Sequence, residues 1–143
     1  MLRQIIMDHY ENPRNHELVE DDSYKKVNMD SETCIDNIDI QAKIENGVIE
    51  DIRFDGEACA ICTSSTSIMT ELLIGKTIDE ARVIIENYMN MIFEKDYDPE
   101  ILEEAIAFYN THKQANRIKC ATLGWKGITQ LIDESEKEDT HGK

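Results

Sequence analysis

The chain changes from a strand-like pattern to a run of small and hydroxyl residues within Gly56-Glu57-Ala58-Cys59-Ala60-Ile61-Cys62-Thr63-Ser64-Ser65-Thr66-Ser67. This stretch carries two of the four cysteines in the sequence. A thiol at the start of a helix meets unpaired N–H groups and the positive end of the helix dipole, which favour thiolate over thiol. The stretch therefore predicts a strand-to-helix corner in the middle of a reactive metal or sulfur site.

A β-hairpin is predicted directly before this corner. Apolar residues alternate with polar ones over 37–45 and again over 48–55. Asn46-Gly47, between the two runs, accepts the positive φ angles of a type I′ turn. A weaker alternation over 24–30 predicts a further strand. Together these segments predict a three-stranded antiparallel sheet with one apolar face.

Helical periodicity accounts for most of the remaining chain. The expected helices are a short one at 2–10, one that begins at the corner and closes at Gly75, one opened by the Thr77-Ile78-Asp79-Glu80 capping box, one opened by Asp98-Pro99, and one that runs from Ile118 or Cys120 to Ile132. This order indicates an α+β fold with helices packed on one face of the sheet. At 143 residues the chain suits a single domain, expected over 1–132, followed by a charged, flexible tail over 133–143.

The composition is strongly acidic, with 15 Lys+Arg against 30 Asp+Glu and a formal net charge of −15. Such a charge repels phosphate backbones and anionic lipid, so neither nucleic acid nor a membrane is an expected partner. The apolar runs are too short to span a bilayer, and the first residues lack a signal-peptide pattern. We therefore expect a cytoplasmic protein whose cysteines are thiols, metal ligands or nucleophiles rather than disulfides.

Three cysteines lie where predicted elements meet. Cys34 precedes the hairpin, Cys59 occupies the corner, and Cys120 lies at the start of the last helix. With Asp36 they form a set of three thiols and one carboxylate, which suits tetrahedral zinc or an iron–sulfur cluster. Each cysteine alone is explained equally well as a small buried apolar side chain. That alternative weakens when three cysteines share the same kind of position.

Further residues near these positions bear on the chemistry. Arg117 and Lys119 would stabilise a neighbouring thiolate. Cys62 forms Cys-x-x-Cys with Cys59, which taken alone is typical of a redox dithiol or half a zinc knuckle. A thioredoxin-like dithiol needs a parallel sheet and a zinc knuckle needs a second Cys-x-x-Cys, and the sequence predicts neither. We therefore interpret Cys62 as a neighbour of the site, and His9 as a helix-face residue rather than a ligand.

Five motifs follow one another along the chain. They are Met7-Asp8-His9-Tyr10-Glu11-Asn12-Pro13-Arg14-Asn15, Thr33-Cys34-Ile35-Asp36, Gly56-Glu57-Ala58-Cys59-Ala60-Ile61, Met69-Thr70 and Arg117-Ile118-Lys119-Cys120-Ala121-Thr122-Leu123-Gly124-Trp125. In this order they resemble the SufU/IscU iron–sulfur cluster assembly proteins over nearly the whole chain. The long interval between Cys59 and Cys120 is similar to that of the SufU branch. Lys119 also favours SufU, because IscU proteins carry a histidine ligand at this position.

The resemblance implies a zinc-dependent sulfur carrier that acts with a cysteine desulfurase. The implied zinc ligands are Cys34, Asp36, Cys59 and Cys120. Docking to a SufS-type desulfurase would free Cys34 to accept persulfide sulfur for downstream cluster-assembly or carrier proteins. Arg117 and Lys119 would steady the thiolate charge during this sulfurtransferase-like step. IscU relatives instead assemble a [2Fe–2S] cluster on the matching cysteines.

Several positions depart from the family pattern. Ile35 and Ala58 stand where the family has glycine, Cys62 stands where it has serine, and residues 29–33 lack its usual Asn-Pro. These departures surround the expected ligands and leave all four in place. Ile35 removes the freedom of a glycine to take positive φ in the loop. An alternative therefore stays open, in which the zinc is purely structural and no sulfur is transferred.

Overall fold

The computed structural model describes residues 2–31 and 35–141. Its elements, in chain order, are α1 (Leu2–Glu11), β1 (Lys25–Asp30), β2 (Asn37–Glu45), β3 (Val48–Glu57), α2 (Ala60–Leu73), α3 (Ile78–Ile92), two 3₁₀ segments (Pro99–Phe108 and Thr111–Lys113) and α4 (Ala115–His141). The predicted α+β class is confirmed, because a three-stranded antiparallel sheet is followed by helices that cover it. None of the described helices combines the length and apolar character needed to cross a membrane.

The sheet has the order β1-β2-β3, with both pairs antiparallel. Asn46 and Gly47 join β2 to β3 with φ angles of 55° and 74°, as a type I′ turn requires. Alternation then fixes the register: Ile40 pairs with Val27 on one side and Phe54 on the other. A one-residue slip would turn these side chains away from the core. The hairpin prediction is therefore confirmed.

The core lies between the inner face of the sheet and helices α2 and α4. Two glycines of α4 mark the closest approaches. A Cβ at Gly127 would come within 2.5 Å of Ile40 Cδ1, and one at Gly124 within 2.4 Å of Thr66 Oγ1. Glycine costs about 1 kcal/mol relative to alanine inside a helix. Here it allows α4 to lie directly against both the sheet and α2.

Two helix predictions need correction. The segment opened by Asp98-Pro99 is a 3₁₀ helix rather than an α-helix, and it bends at Glu103, whose φ is 46°. The predicted end of the last helix at Ile132 is wrong, because α4 continues through the charged residues to His141. Arg82 on α3 pairs with Asp133 at 2.9 Å and with Glu136. These ion pairs attach the additional turns of α4 to the domain.

Candidate metal centre

Three of the four expected ligands meet at one point. Asp36 lies just before β2, Cys59 lies between β3 and α2, and Cys120 lies in α4. Their ligand atoms are all within 4.8 Å of one another. Cys34, the fourth expected ligand, lies outside the described residues. These residues therefore bring together the start of β2, the end of β3 and helix α4.

Cys59 caps the corner that the sequence predicted. It is the N-cap of α2, with an extended backbone, and its Sγ accepts a hydrogen bond from the Cys62 N–H at 3.4 Å. Gly56 brings the corner close to β2, since a Cβ there would lie 2.3 Å from the Asn37 carbonyl oxygen. This approach lets Asp36 Oδ1 accept the Cys59 backbone N–H at 2.8 Å, while Oδ2 lies 3.7 Å from the Cys59 Sγ. One carboxylate therefore holds the corner and contacts the thiol.

The environment of Cys120 differs from the one expected. The sequence placed this residue at the mouth of the last helix, but α4 begins at Ala115, so Cys120 lies more than one turn inside it. Burial, together with hydrogen bonds to Asp36 and Cys59, raises the pKa of the Cys120 thiol. A metal ion that binds here must therefore displace a proton from the sulfur.

The donor set fits a zinc ion. Asp36 is 0% exposed and Cys120 is 6% exposed, and a buried carboxylate is costly unless a cation or hydrogen-bond donors compensate it. Thiolate sulfur with one carboxylate oxygen is a ligand combination that tetrahedral Zn²⁺ accepts. Cys62, by contrast, has its side chain fully buried in the hydrophobic core.

A buried hydrogen-bond network lies behind Cys120, and sequence reasoning missed it. Ser65 Oγ and the Tyr88 hydroxyl both reach the Ala121 carbonyl oxygen, at 2.6 and 2.7 Å. Trp125 Nε1 donates to Ser65 Oγ at 3.1 Å, and the Trp125 and Tyr88 rings stack with centroids 3.8 Å apart. The network joins α2, which Cys59 caps, to α3 and to α4, which carries Cys120. The hydroxyl-rich run after Cys59 was its only trace in the sequence.

A cleft of about 780 Å³ opens beside the two thiols. Its apolar lining comes from α1, from the start of α2 and from the end of the longer 3₁₀ segment with the residue after it: Leu2, Ile6, Met7, Ala60, Ile61, Ala107 and Tyr109. Arg117, an exposed residue of α4, also lines the cleft, whereas Lys119 is exposed on the same part of α4. The cleft thus connects the thiols to solvent and carries two cationic groups, those of Arg3 and Arg117.

Comparisons with known proteins agree with this architecture. The sequence profile of the NifU-like N terminal domain family matches residues 1–139. The zinc-dependent sulfurtransferase SufU of Bacillus subtilis is 38% identical, over 95% of this chain and 92% of its own length. The iron–sulfur cluster assembly scaffold protein IscU of Streptococcus pyogenes is 33% identical, over 92% of this chain and 82% of its own. A crystal structure of a putative scaffold protein for the SUF system from Fervidobacterium islandicum superposes with a TM-score of 0.82 at 30% identity, covering 90% of this chain and 94% of that one.

Proposed function

This chain belongs to the NifU-like N-terminal domain family of iron–sulfur cluster assembly proteins, and we propose that it is a zinc-dependent acceptor of persulfide sulfur. The donor would be a SufS-type cysteine desulfurase. The observation that carries the proposal is the convergence of Asp36, Cys59 and Cys120. The chain's similarity to a protein named as a zinc-dependent sulfurtransferase supports the same role.

The proposed zinc ligands are Asp36, Cys59, Cys120 and Cys34. Cys34 is two residues from Asp36, and an extended chain covers at most about 7 Å over that interval. This interval is short enough for Cys34 to complete the proposed ligand set. When bound, zinc stabilises the thiolate form of its cysteine ligands at neutral pH.

Sulfur transfer would then follow ordinary thiol–disulfide chemistry. The Cys34 thiolate attacks the outer sulfur of the desulfurase persulfide, a new S–S bond forms, and the old S–S bond breaks. The electron pair of the broken bond leaves on the desulfurase cysteine as its thiolate, and Cys34 carries the persulfide. Arg117 in the cleft and Lys119 near it would offset negative charge during this exchange.

The cleft beside the thiols would admit the sulfur-bearing segment of the desulfurase. Its apolar wall offers contact area, and Arg117 favours an anionic persulfide in a chain that is otherwise acidic. Persulfide would then pass to downstream cluster-assembly or carrier proteins. We place this chemistry in the cytoplasm, where reducing conditions keep the thiols free.

The proposal is tested by incubating the zinc-loaded protein with a SufS-type desulfurase and cysteine. We expect faster desulfurase turnover, with one added sulfur atom on the Cys34 peptide by mass spectrometry. Cys34→Ser should lose both effects, whereas Cys62→Ser, which changes a core thiol, should keep them. An unchanged turnover rate and an unlabelled Cys34 would instead support a structural zinc adaptor, in line with Ile35 in the loop.

A second candidate is an IscU-like scaffold for a [2Fe–2S] cluster. The observation that favours it is the pairing of Cys59 and Cys120, since cysteine thiolates are the usual cluster ligands. This candidate predicts stable visible absorbance after anaerobic reconstitution with iron and sulfide. The absorbance should disappear in Cys59→Ser and persist in Cys62→Ser.

A further inference from the structure

A second cluster of ligand-type side chains lies away from the cysteines. His9 of α1 faces Glu71 of α2 and Glu104 of the longer 3₁₀ segment. The distance from His9 Nε2 to Glu104 Oε1 is 3.3 Å, and that to Glu71 Oε1 is 3.6 Å. All three ligand atoms lie within 4.8 Å of one another. Atoms that bind a common ion at about 2.1 Å are separated from one another by about 3 to 3.5 Å.

The histidine is buried and its ring is held in one orientation. His9 is 0% exposed, and its Nδ1 lies 2.8 Å from Ser67 Oγ. Ser67 Oγ also accepts the backbone N–H of Arg14 at 2.8 Å. In the tautomer with its proton on Nε2, the ring donates to Glu104 Oε1. In the tautomer with its proton on Nδ1, it donates to Ser67 and leaves the Nε2 lone pair for an ion that lies between it and the two carboxylates. Metal-binding histidines are oriented in this way by a partner on their other nitrogen.

The carboxylates reach solvent and border a small cavity. Their side chains are 45% exposed for Glu71 and 49% for Glu104. With Glu103, Ile68 and Leu72 they line a cavity of about 70 Å³, to which the buried His9 ring does not contribute; one water needs roughly 10–15 Å³. An ion could therefore enter from solvent and keep bound water as additional ligands.

The charged groups around the cluster do not fully balance its two carboxylates. Arg14 lies 3.7 Å from Glu71 but is closer to Asp8, at 2.7 Å, and so is shared between two carboxylates. Glu104 has His9 as its charged-group contact in the cluster. With neutral His9, the cluster carries two negative charges that one arginine offsets only in part.

We propose that His9, Glu71 and Glu104 form a second divalent-metal site, independent of the thiol site. One imidazole nitrogen and two carboxylate oxygens are harder ligands than thiolates and suit Mn²⁺ or Fe²⁺. The ion binds the Nε2 lone pair of the His9 tautomer that is protonated on Nδ1, and it links α1, α2 and the longer 3₁₀ segment. The proposal depends on neither zinc binding nor sulfur transfer.

The test is a titration of the zinc-loaded, full-length protein with Mn²⁺, followed by the decline of the free-ion signal in electron paramagnetic resonance. We expect one bound Mn²⁺ per chain, with nitrogen coupling from the His9 imidazole in pulsed spectra. Glu104→Gln keeps the shape of a half-exposed side chain and should weaken Mn²⁺ binding by about tenfold or more. Glu86→Gln, at an exposed carboxylate of α3 outside the cluster, should leave it unchanged. Both variants should keep their zinc.

Three results would overturn the second site. The first is the absence of Mn²⁺ binding at concentrations up to about 1 mM. The second is bound Mn²⁺ without nitrogen coupling. The third is equal Mn²⁺ affinity in Glu104→Gln and the unsubstituted protein, which would place the ion elsewhere on the acidic surface.

Discussion

Helix α2 contributes to two ligand clusters with different surroundings. At its N-terminus, Cys59 meets Asp36 and Cys120, which are both buried, and hydrogen bonds behind Cys120 join α2 to α4. Further along, Glu71 belongs to a cluster whose carboxylates are about half exposed. Thiol ligands that are buried or half-buried favour retention of a soft metal ion, whereas exposed oxygen ligands favour exchange of a harder one. The two clusters therefore differ in burial as well as in their ligand atoms.

The largest effect is expected from Cys59→Ser. This change replaces a thiolate ligand by a hydroxyl, which does not ionise at neutral pH, so the protein should lose its zinc during dialysis against a chelator. The zinc content per chain is measured by inductively coupled plasma mass spectrometry. Cys62→Ser and Glu104→Gln should both retain zinc. If Cys59→Ser keeps all of its zinc, the thiol cluster does not hold the zinc through Cys59, and the proposed difference in metal binding between the two clusters is wrong.

Asp36→Ala is the next most informative change. It removes the carboxylate ligand and also leaves the Cys59 backbone N–H without its partner at 2.8 Å. We expect zinc affinity to fall by about 10- to 100-fold, measured by competition with a chromophoric chelator. Asp39→Ala, in the strand β2 that directly follows Asp36, is the matched control. If zinc content after dialysis is the same in Asp36→Ala and the control, Asp36 is not a ligand.

Lowering the pH should weaken zinc binding at the thiol cluster. Because burial raises the pKa of the Cys120 thiol in the metal-free site, zinc must displace its proton on binding. Zinc affinity should therefore fall as pH falls, by about tenfold per pH unit for each proton displaced. Chelator competition at several pH values measures the slope. A zinc affinity independent of pH would mean that Cys120 does not bind the ion as thiolate.

The smallest expected effect comes from Tyr88→Phe. The change keeps the ring stacked on Trp125 but removes the hydroxyl that contacts the Ala121 carbonyl. We expect the free energy of unfolding to fall by about 1 kcal/mol, measured by urea denaturation of the zinc-loaded protein. Tyr109→Phe, at an exposed position, should have no such effect. Equal stability of the two variants would show that the Tyr88 hydroxyl does not help to hold α3 against α4.

Local signals made much of the fold predictable. Asn46-Gly47 determines the hairpin through its own backbone preferences. The box at Thr77 forms with reciprocal hydrogen bonds of 3.0 and 3.1 Å to Glu80. The extension of α4 was not predictable in this way, because Arg82 on another helix stabilises it. Positive φ at Glu103 likewise depends on packing rather than on a local signal.

The candidate site was predictable only in part. Residue chemistry selected Cys59, Cys120 and Asp36, and family resemblance supported the choice, but spacing along the chain does not show that they meet. The cluster around His9 was missed because its partners are 58 to 95 residues away in sequence. A lone histidine on a helix carries no signal of such contacts. Both clusters therefore depend on contacts between residues that are far apart in the sequence, and sequence periodicity does not predict such contacts.

The most direct test of the account is X-ray absorption spectroscopy at the zinc edge of the purified, zinc-loaded protein. With Cys34, Cys59, Cys120 and Asp36 as ligands, the spectrum should show three sulfur neighbours at about 2.3 Å and one oxygen neighbour at about 2.0 Å. A shell of four sulfur neighbours would indicate that Cys62, rather than Asp36, is the fourth zinc ligand. A shell of nitrogen and oxygen without sulfur would place zinc at His9 and contradict the account.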